Sequence, residues 1–225
     1  MSGKKMGGAG LRGQSAGETS ICTVGVTGSG LTYRGYDVVD LAKNTTFEEV
    51  AFLLLHKKLP NSQELKEYIE KLKSLRGLQP EMRSTLECIP KTAHPMDVLR
   101  TGCSVLGNLE QEESFLNQTD HADRMLSAFP SILSYWYQYS HHGKRIDTET
   151  NDDTIGGHFL HLLHGQKASE LHNQVMSVSL ILYAEHEFNA STFAARVCAS
   201  TPVSYTHLRS NETVLDLVCR LLLEK

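Results

Sequence analysis

The chain has 225 residues, 40% of them hydrophobic and 21% charged, with a formal net charge of -4. That is enough chain to bury a core without disulfides or metal, it is too apolar for a disordered protein, and it lacks the basic excess of a nucleic-acid binder. No apolar run approaches the roughly 20 residues that a membrane span needs, and five cysteines without a CxxC pair read as reduced thiols rather than a disulfide framework.

Residues 1–20 are rich in Gly and Ser, with Lys4, Lys5 and Arg12, and lack the apolar stretch of a secretory signal. They read as a disordered leader. Acids are scarce before Glu18, so a mitochondrial transit peptide stays open, and the expected compartment is the cytoplasm or the mitochondrial matrix. Ile21–Val24 and Leu31–Arg34 are short β-prone runs around a glycine-rich link, which predicts a small hairpin. After Asp37 the pattern turns helical. Thr46 with Glu49 forms a capping-box signature, and Pro60 is expected to end that helix. Leu65, Tyr68, Ile69, Leu72 and Leu75 keep helical spacing up to a stop at Gly77. Pro95 suits a first helical position before Met96–Leu106, with Gly107 closing the helix and Gly102, Cys103 and Ser104 allowing close approach of a neighbour.

Glu110–Asp120 reads as an exposed loop, with Asp120 capping a long helix that runs to His142. Leu126, Phe129, Ile132, Leu133 and Trp136 form its apolar stripe, and Pro130 lies within it. An acidic loop at Asp147–Asp153 leads to a short helix from Ile155 to His164, stopped by Gly165. Ser169 caps the next helix. Its stretch Val175–Ala184 is apolar on nearly every side and is expected to lie in the core. The fold class is mainly α, with several antiparallel helices behind a small N-terminal β-hairpin.

Eleven histidines are present, and His158 and His161 share a helical face. A metal site there competes with a plain role in a helix interface, and the interface role is favoured because the helix offers no Cys or carboxylate. His186-Glu187 opens like the zincin helix but fails at Ala190, so no metal ligand set is assigned. The charge-free run before it ends in a burst of polar groups that includes His186, Asn189 and Ser191. Polar groups at the end of a core helix are costly unless they are paired or used on a ligand. These three are the candidate substrate-binding residues, with capping of a following helix by Asn189 or Ser191 as the bland alternative.

Three segments carry a resemblance. Leu31-Thr32-Tyr33-Arg34-Gly35-Tyr36-Asp37, His94-Pro95-Met96-Asp97-Val98-Leu99-Arg100-Thr101-Gly102 and Tyr183-Ala184-Glu185-His186-Glu187-Phe188-Asn189-Ala190-Ser191-Thr192-Phe193 resemble motifs of the citrate synthases. Within that family, Ile155–Gly165 and Ser140-His141 are most similar to the 2-methylcitrate synthase branch. The resemblance implies a citrate-synthase-like multi-helical large domain and condensation of an acyl-CoA, propionyl-CoA favoured over acetyl-CoA, with oxaloacetate. It implies a homodimer when the chain is complete, and no cofactor, since the coenzyme A thioester is a substrate. It places the oxaloacetate-binding histidine at His186, with Asn189 and Ser191 framing the site.

The family's later motifs, H-G-G-A-N-E, G-x-G-H and D-P-R, carry its catalytic His, His and Asp, and none occurs in these 225 residues. No catalytic residue is therefore assigned, and the chain as written is expected to be inactive. The resemblance spans 21–201 as an incomplete N-terminal part of the fold. Residues 202–225 look foreign to the family and resemble read-through of an appended adapter, although Val214–Leu223 can be drawn as an amphipathic helix. If the ending at Lys225 is genuine, the alternative is a non-catalytic helical dimerisation or binding protein.

Overall fold

The computed structural model describes residues 17–25, 30–110, 118–185 and 191–194. Three short strands, β1 (Cys22–Val24), β2 (Leu31–Tyr33) and β3 (Tyr36–Asp37), precede eight helices: α1 (Val38–Asn44), α2 (Phe47–His56), α3 (Ser62–Ser74), α4 (Pro80–Glu87), α5 (Pro95–Leu109), α6 (Gln118–His142), α7 (Ile155–His164) and α8 (Glu170–Leu182). The strands form an antiparallel sheet in the order β1-β2-β3. The hairpin expected from the sequence therefore gains a third strand.

That third strand arises from a tight turn. Arg34 and Gly35 both take positive φ, 51° and 89°, which is the geometry a two-residue hairpin loop demands. Arg34 has a side chain, so this conformation is costly for it. Its guanidinium is held on both sides, donating from Nη2 to the Leu54 carbonyl at 2.8 Å and from Nη1 to the Ser20 hydroxyl at 3.1 Å. Asp37 then caps α1, accepting from the backbone N–H groups of Val39 and Asp40. Arg34, Gly35 and Asp37 of the Leu31–Asp37 motif thus perform structural tasks.

Helix boundaries follow their caps. The Thr46–Glu49 capping box forms as read, and Asn61 with Glu64 forms a second one at the start of α3 that the sequence reading overlooked. Several stops differ. The α2 helix ends at Lys57 in the left-handed region, before Pro60 is reached, and α3 ends at Leu75 rather than Gly77. Gly107 lies inside α5, and α6 starts at Gln118, so Asp120 sits in its first turn instead of capping it. A glycine or proline permits a stop, but the local hydrogen bonds decide it. Helix α4 was not foreseen; Pro80 stands in its first turn, and Met82 and Leu86 are buried.

The long helix α6 is the central rod, packed against α3, α4, α5 and α7. Its expected stripe of Leu126, Phe129, Ile132, Leu133 and Trp136 is buried throughout. Gly102 of α5 allows the closest approach, because a Cβ there would lie 2.7 Å from Ile132 Cγ2. At the other side, α8 packs on α1, α2 and α7. Only Leu180 and Ile181 of α8, with Ala184 just beyond it, are buried, whereas Val175, Leu182 and Tyr183 are exposed. The expectation of a helix sunk in the core is corrected: one face of α8 has no cover among the described residues.

Candidate functional site

Two polar assemblies stand out. The first is where α8 ends. A helix C-terminus leaves carbonyls without intrahelical partners, and here a strand far away in sequence supplies one. The Tyr33 hydroxyl of β2 donates to the Ile181 carbonyl at 2.9 Å and accepts from the Glu185 backbone N–H at 3.3 Å. Tyr33 is fully buried, and burial pushes its hydroxyl pKa up to about 12. Beside it, the Cys22 thiol donates to Glu185 Oε1 at 3.8 Å. The sheet therefore fixes the backbone up to Glu185, one residue before the first candidate ligand.

His186 and Asn189 lie outside the described residues. Ser191 is half-buried and belongs to a short helical segment, 191–194. Tyr33 was missed as a site-supporting residue. Its signal was the motif it sits in, but nothing local in sequence connects β2 to α8. Replacing Tyr33 with Phe is expected to cost about 1–2 kcal/mol, because it removes one donor to the Ile181 carbonyl and the acceptor of the Glu185 N–H. Hydrogen exchange at the Glu185 amide checks this: protection should fall there while the core of α6 is unchanged.

The second assembly surrounds the N-terminus of α7. Glu48 of α2 is fully buried, and its Oε1 accepts from the Ile155 N–H at 2.8 Å. A carboxylate at that position meets the positive end of the helix. Burial raises the Glu48 pKa, against the pull of the Ile155 N–H and of Arg76. Arg76 is buried too, donating from Nη1 to the Thr150 carbonyl at 2.8 Å and from Nη2 to the Thr154 carbonyl at 3.4 Å. Thr154 caps α7 through the Gly157 N–H. Gly157 leaves room for Asn173, whose Oδ1 would lie 2.5 Å from an added Cβ, and Gly156 leaves room for Met176. The glycine pair thus serves close helix packing.

The histidines of α7 belong to this assembly. Each nitrogen of His158 lies 3.0 Å from a hydroxyl, Nε2 from Ser131 and Nδ1 from Thr150. Burial pushes its pKa down to about 3, and the nearby Arg76 charge acts in the same sense. His161 Nδ1 lies 2.7 Å from Asp152 Oδ2. Among the described residues, no group of three His, Cys, Asp or Glu side chains is placed to hold a metal ion. His158 lines the interface of α7 with α6, as the plainer sequence reading had it, whereas His161 pairs with Asp152 of the preceding loop. Glu48 and Arg76 were overlooked, because a single charged residue beside an apolar run gives no sign of its distant partner.

Comparisons with known proteins bear on most of the chain. The family model for the citrate synthase C-terminal domain matches residues 10–207. The chain belongs to the citrate synthase family. It is 69% identical over 198 residues to the 2-methylcitrate synthase of Shewanella oneidensis, covering 88% of this chain and 53% of that relative. It is 36% identical over 201 residues to 2-methylcitrate synthase 1 of Corynebacterium glutamicum, covering 85% of this chain and 52% of that one. The solved citrate synthase of Thermotoga maritima superposes with a TM-score of 0.76 at 32% identity, covering 95% of this chain and 56% of its own. The chain thus spans about half the length of the curated relatives it matches. The mainly helical, citrate-synthase-like fold expected from the sequence is the one observed. No described helix is long and apolar enough to cross a membrane.

Proposed function

We propose that this chain serves the condensation of an acyl-CoA with oxaloacetate, propionyl-CoA in preference to acetyl-CoA, giving 2-methylcitrate and CoA. The observation that carries the reading is the 69% identity to a 2-methylcitrate synthase across 88% of the chain. In this reaction the carbon next to the thioester loses a proton and attacks the ketone carbon of oxaloacetate. The ketone oxygen takes up negative charge and then a proton, and water cleaves the thioester to release CoA. The role read for His186 is a hydrogen bond donated to an oxaloacetate oxygen, where charge develops. Asn189 and Ser191 frame the same ligand. Support comes from the anchoring of Glu185 by Tyr33, which holds the approach to this segment in a defined place.

The groups that move protons in the family's reaction are not in the motifs of these 225 residues, so the chain is expected to bind oxaloacetate without turning it over. A missing general base alone forfeits roughly 10²–10⁴-fold in rate. The same reading takes the dimer as the working state of a complete family chain and invokes no cofactor. Calorimetric titration of oxaloacetate into the chain and into His186→Ala tests the proposal. The wild-type chain should bind, and the substitution should weaken binding at least tenfold, the loss of about one charge-assisted hydrogen bond. Equal affinity of the two would end the assignment of His186. Release of CoA from propionyl-CoA by the purified chain would end the claim that it lacks turnover.

A further inference from the structure

Ser177 and Ser179 interrupt the apolar stretch Val175–Ala184, and they do different things. Ser179 turns back on its own helix, donating to the Val175 carbonyl at 2.8 Å. Ser177 reaches another element: its Oγ accepts from the Phe47 N–H at 3.1 Å, across 130 residues of sequence. Phe47 opens α2, and its N–H is one of the donors that a helix start leaves without an intrahelical partner. One turn further along α8, the Tyr33 hydroxyl meets the Ile181 carbonyl at 2.9 Å and the Glu185 N–H at 3.3 Å. The start of α2 therefore grips α8 within its length, and β2 grips it at its end.

Apolar packing does not supply this grip. Only Leu180 and Ile181 of α8, with Ala184 beyond it, are buried, and apolar contact is non-directional. Packing sets how close α8 lies to its neighbours, not how far it slides along its axis. Hydrogen bonds weaken steeply off line. Two of them, about 6 Å apart along the helix at 1.5 Å per residue, fix the slide and the rotation together. We propose that Ser177 and Tyr33 are positioning residues for the segment that begins at His186: their hydroxyls set the register of α8, and so the place to which its continuation is delivered. His186 follows Glu185 directly and lies nine residues after Ser177. A binding group must be held to within about 0.5 Å of its productive place, so an error in register reaches the ligand. The effect on oxaloacetate affinity rests on the reading of His186 given above, whereas the register of α8 does not depend on it.

The test uses the 225-residue chain with Ser177→Ala, with Tyr33→Phe and with both, followed by histidine NMR without ligand and by calorimetric titration of oxaloacetate. The His186 imidazole signal, identified by its loss in His186→Ala, should shift or broaden in each variant and most in the pair, while the signal of His94 at the start of α5 stays in place. Each single substitution should weaken oxaloacetate binding roughly threefold. The pair should weaken it by more than the product of the two, because either hydroxyl alone still holds the same rod. Asn61→Ala removes the cap of α3 and lowers stability by a similar amount, yet should leave both readouts as in the parent. Three results would each overturn the proposal. One is a His186 signal that does not move in the double variant. Another is the same change of signal or affinity in Asn61→Ala, which would reduce the effect to lost stability. The third is equal affinity of the double variant and the parent where His186→Ala binds more weakly. If the signal moves as expected but His186→Ala binds oxaloacetate as the parent does, the ligand assignment of His186 falls and the register set by Ser177 and Tyr33 stands.

Discussion

Arg76→Met should lower the urea-unfolding free energy of this chain by about 1–3 kcal/mol, the range for leaving buried acceptors without a charged donor. Methionine fills much of the space, so the loss is chiefly electrostatic. The Thr150 carbonyl loses its Arg76 donor, the Thr154 carbonyl is left with the His158 N–H, and the buried Glu48 loses the favourable charge of Arg76. The effect is coupled. In the Arg76→Met background, Glu48→Gln should recover part of the loss, because an amide oxygen still accepts from Ile155 N–H and carries no charge to strand. A double-mutant cycle measures this directly. Strict additivity of the two substitutions would show that Arg76 acts through its carbonyl contacts alone.

Acid should destabilise the fold through His158. Burial holds its folded pKa at about 3, whereas an unfolded chain titrates at the ordinary value near 6.5. Below that value the unfolded state takes up a proton that the native state refuses. The stability due to neutral His158 is therefore complete above about pH 6.5 and drains away as pH falls toward 3, on the order of 5 kcal/mol in total. Between about pH 7.5 and 5 the share is about 2 kcal/mol. Glutamine at position 158 keeps the ability to bond Ser131 and Thr150 but cannot protonate. His158→Gln should thus lose stability less steeply across that interval than the parent chain, as read from urea midpoints at each pH. Parallel curves would mean that the carboxylates, not this imidazole, set the acid response.

His158 and Arg76 differ in how legible they are in the sequence. His158 drew attention in the sequence because three histidines recur on one short helix, and the reading that it lines an interface needed only the absence of nearby ligand types. Arg76 offered no such pattern. It follows the last turn of α3, where a basic residue ordinarily complements the helix dipole from the surface, and only the approach of the Asp147–Asp153 loop turns it inward. Thr46, Asn61 and Thr154 show the same divide at the level of caps: each side chain bonds an N–H two or three residues on, so the information is local. The hairpin turn was half legible. Its glycine was visible, but the positive φ of Arg34 is held by the carbonyl of Leu54, twenty residues away.

By itself, the sequence determined most of the helical segments (though not α4), which face of α6 is buried and which family the motifs resemble, because periodicity, caps and short motifs are properties of neighbouring residues. Only the tertiary structure decided that Tyr33 anchors the end of α8, that Glu48 and Arg76 are both buried around the start of α7, and that one apolar face of α8 has no cover among the described residues. Those outcomes depend on pairs separated by up to 152 residues. Their energies arise from desolvation and contact, and neither exists until the helices have packed.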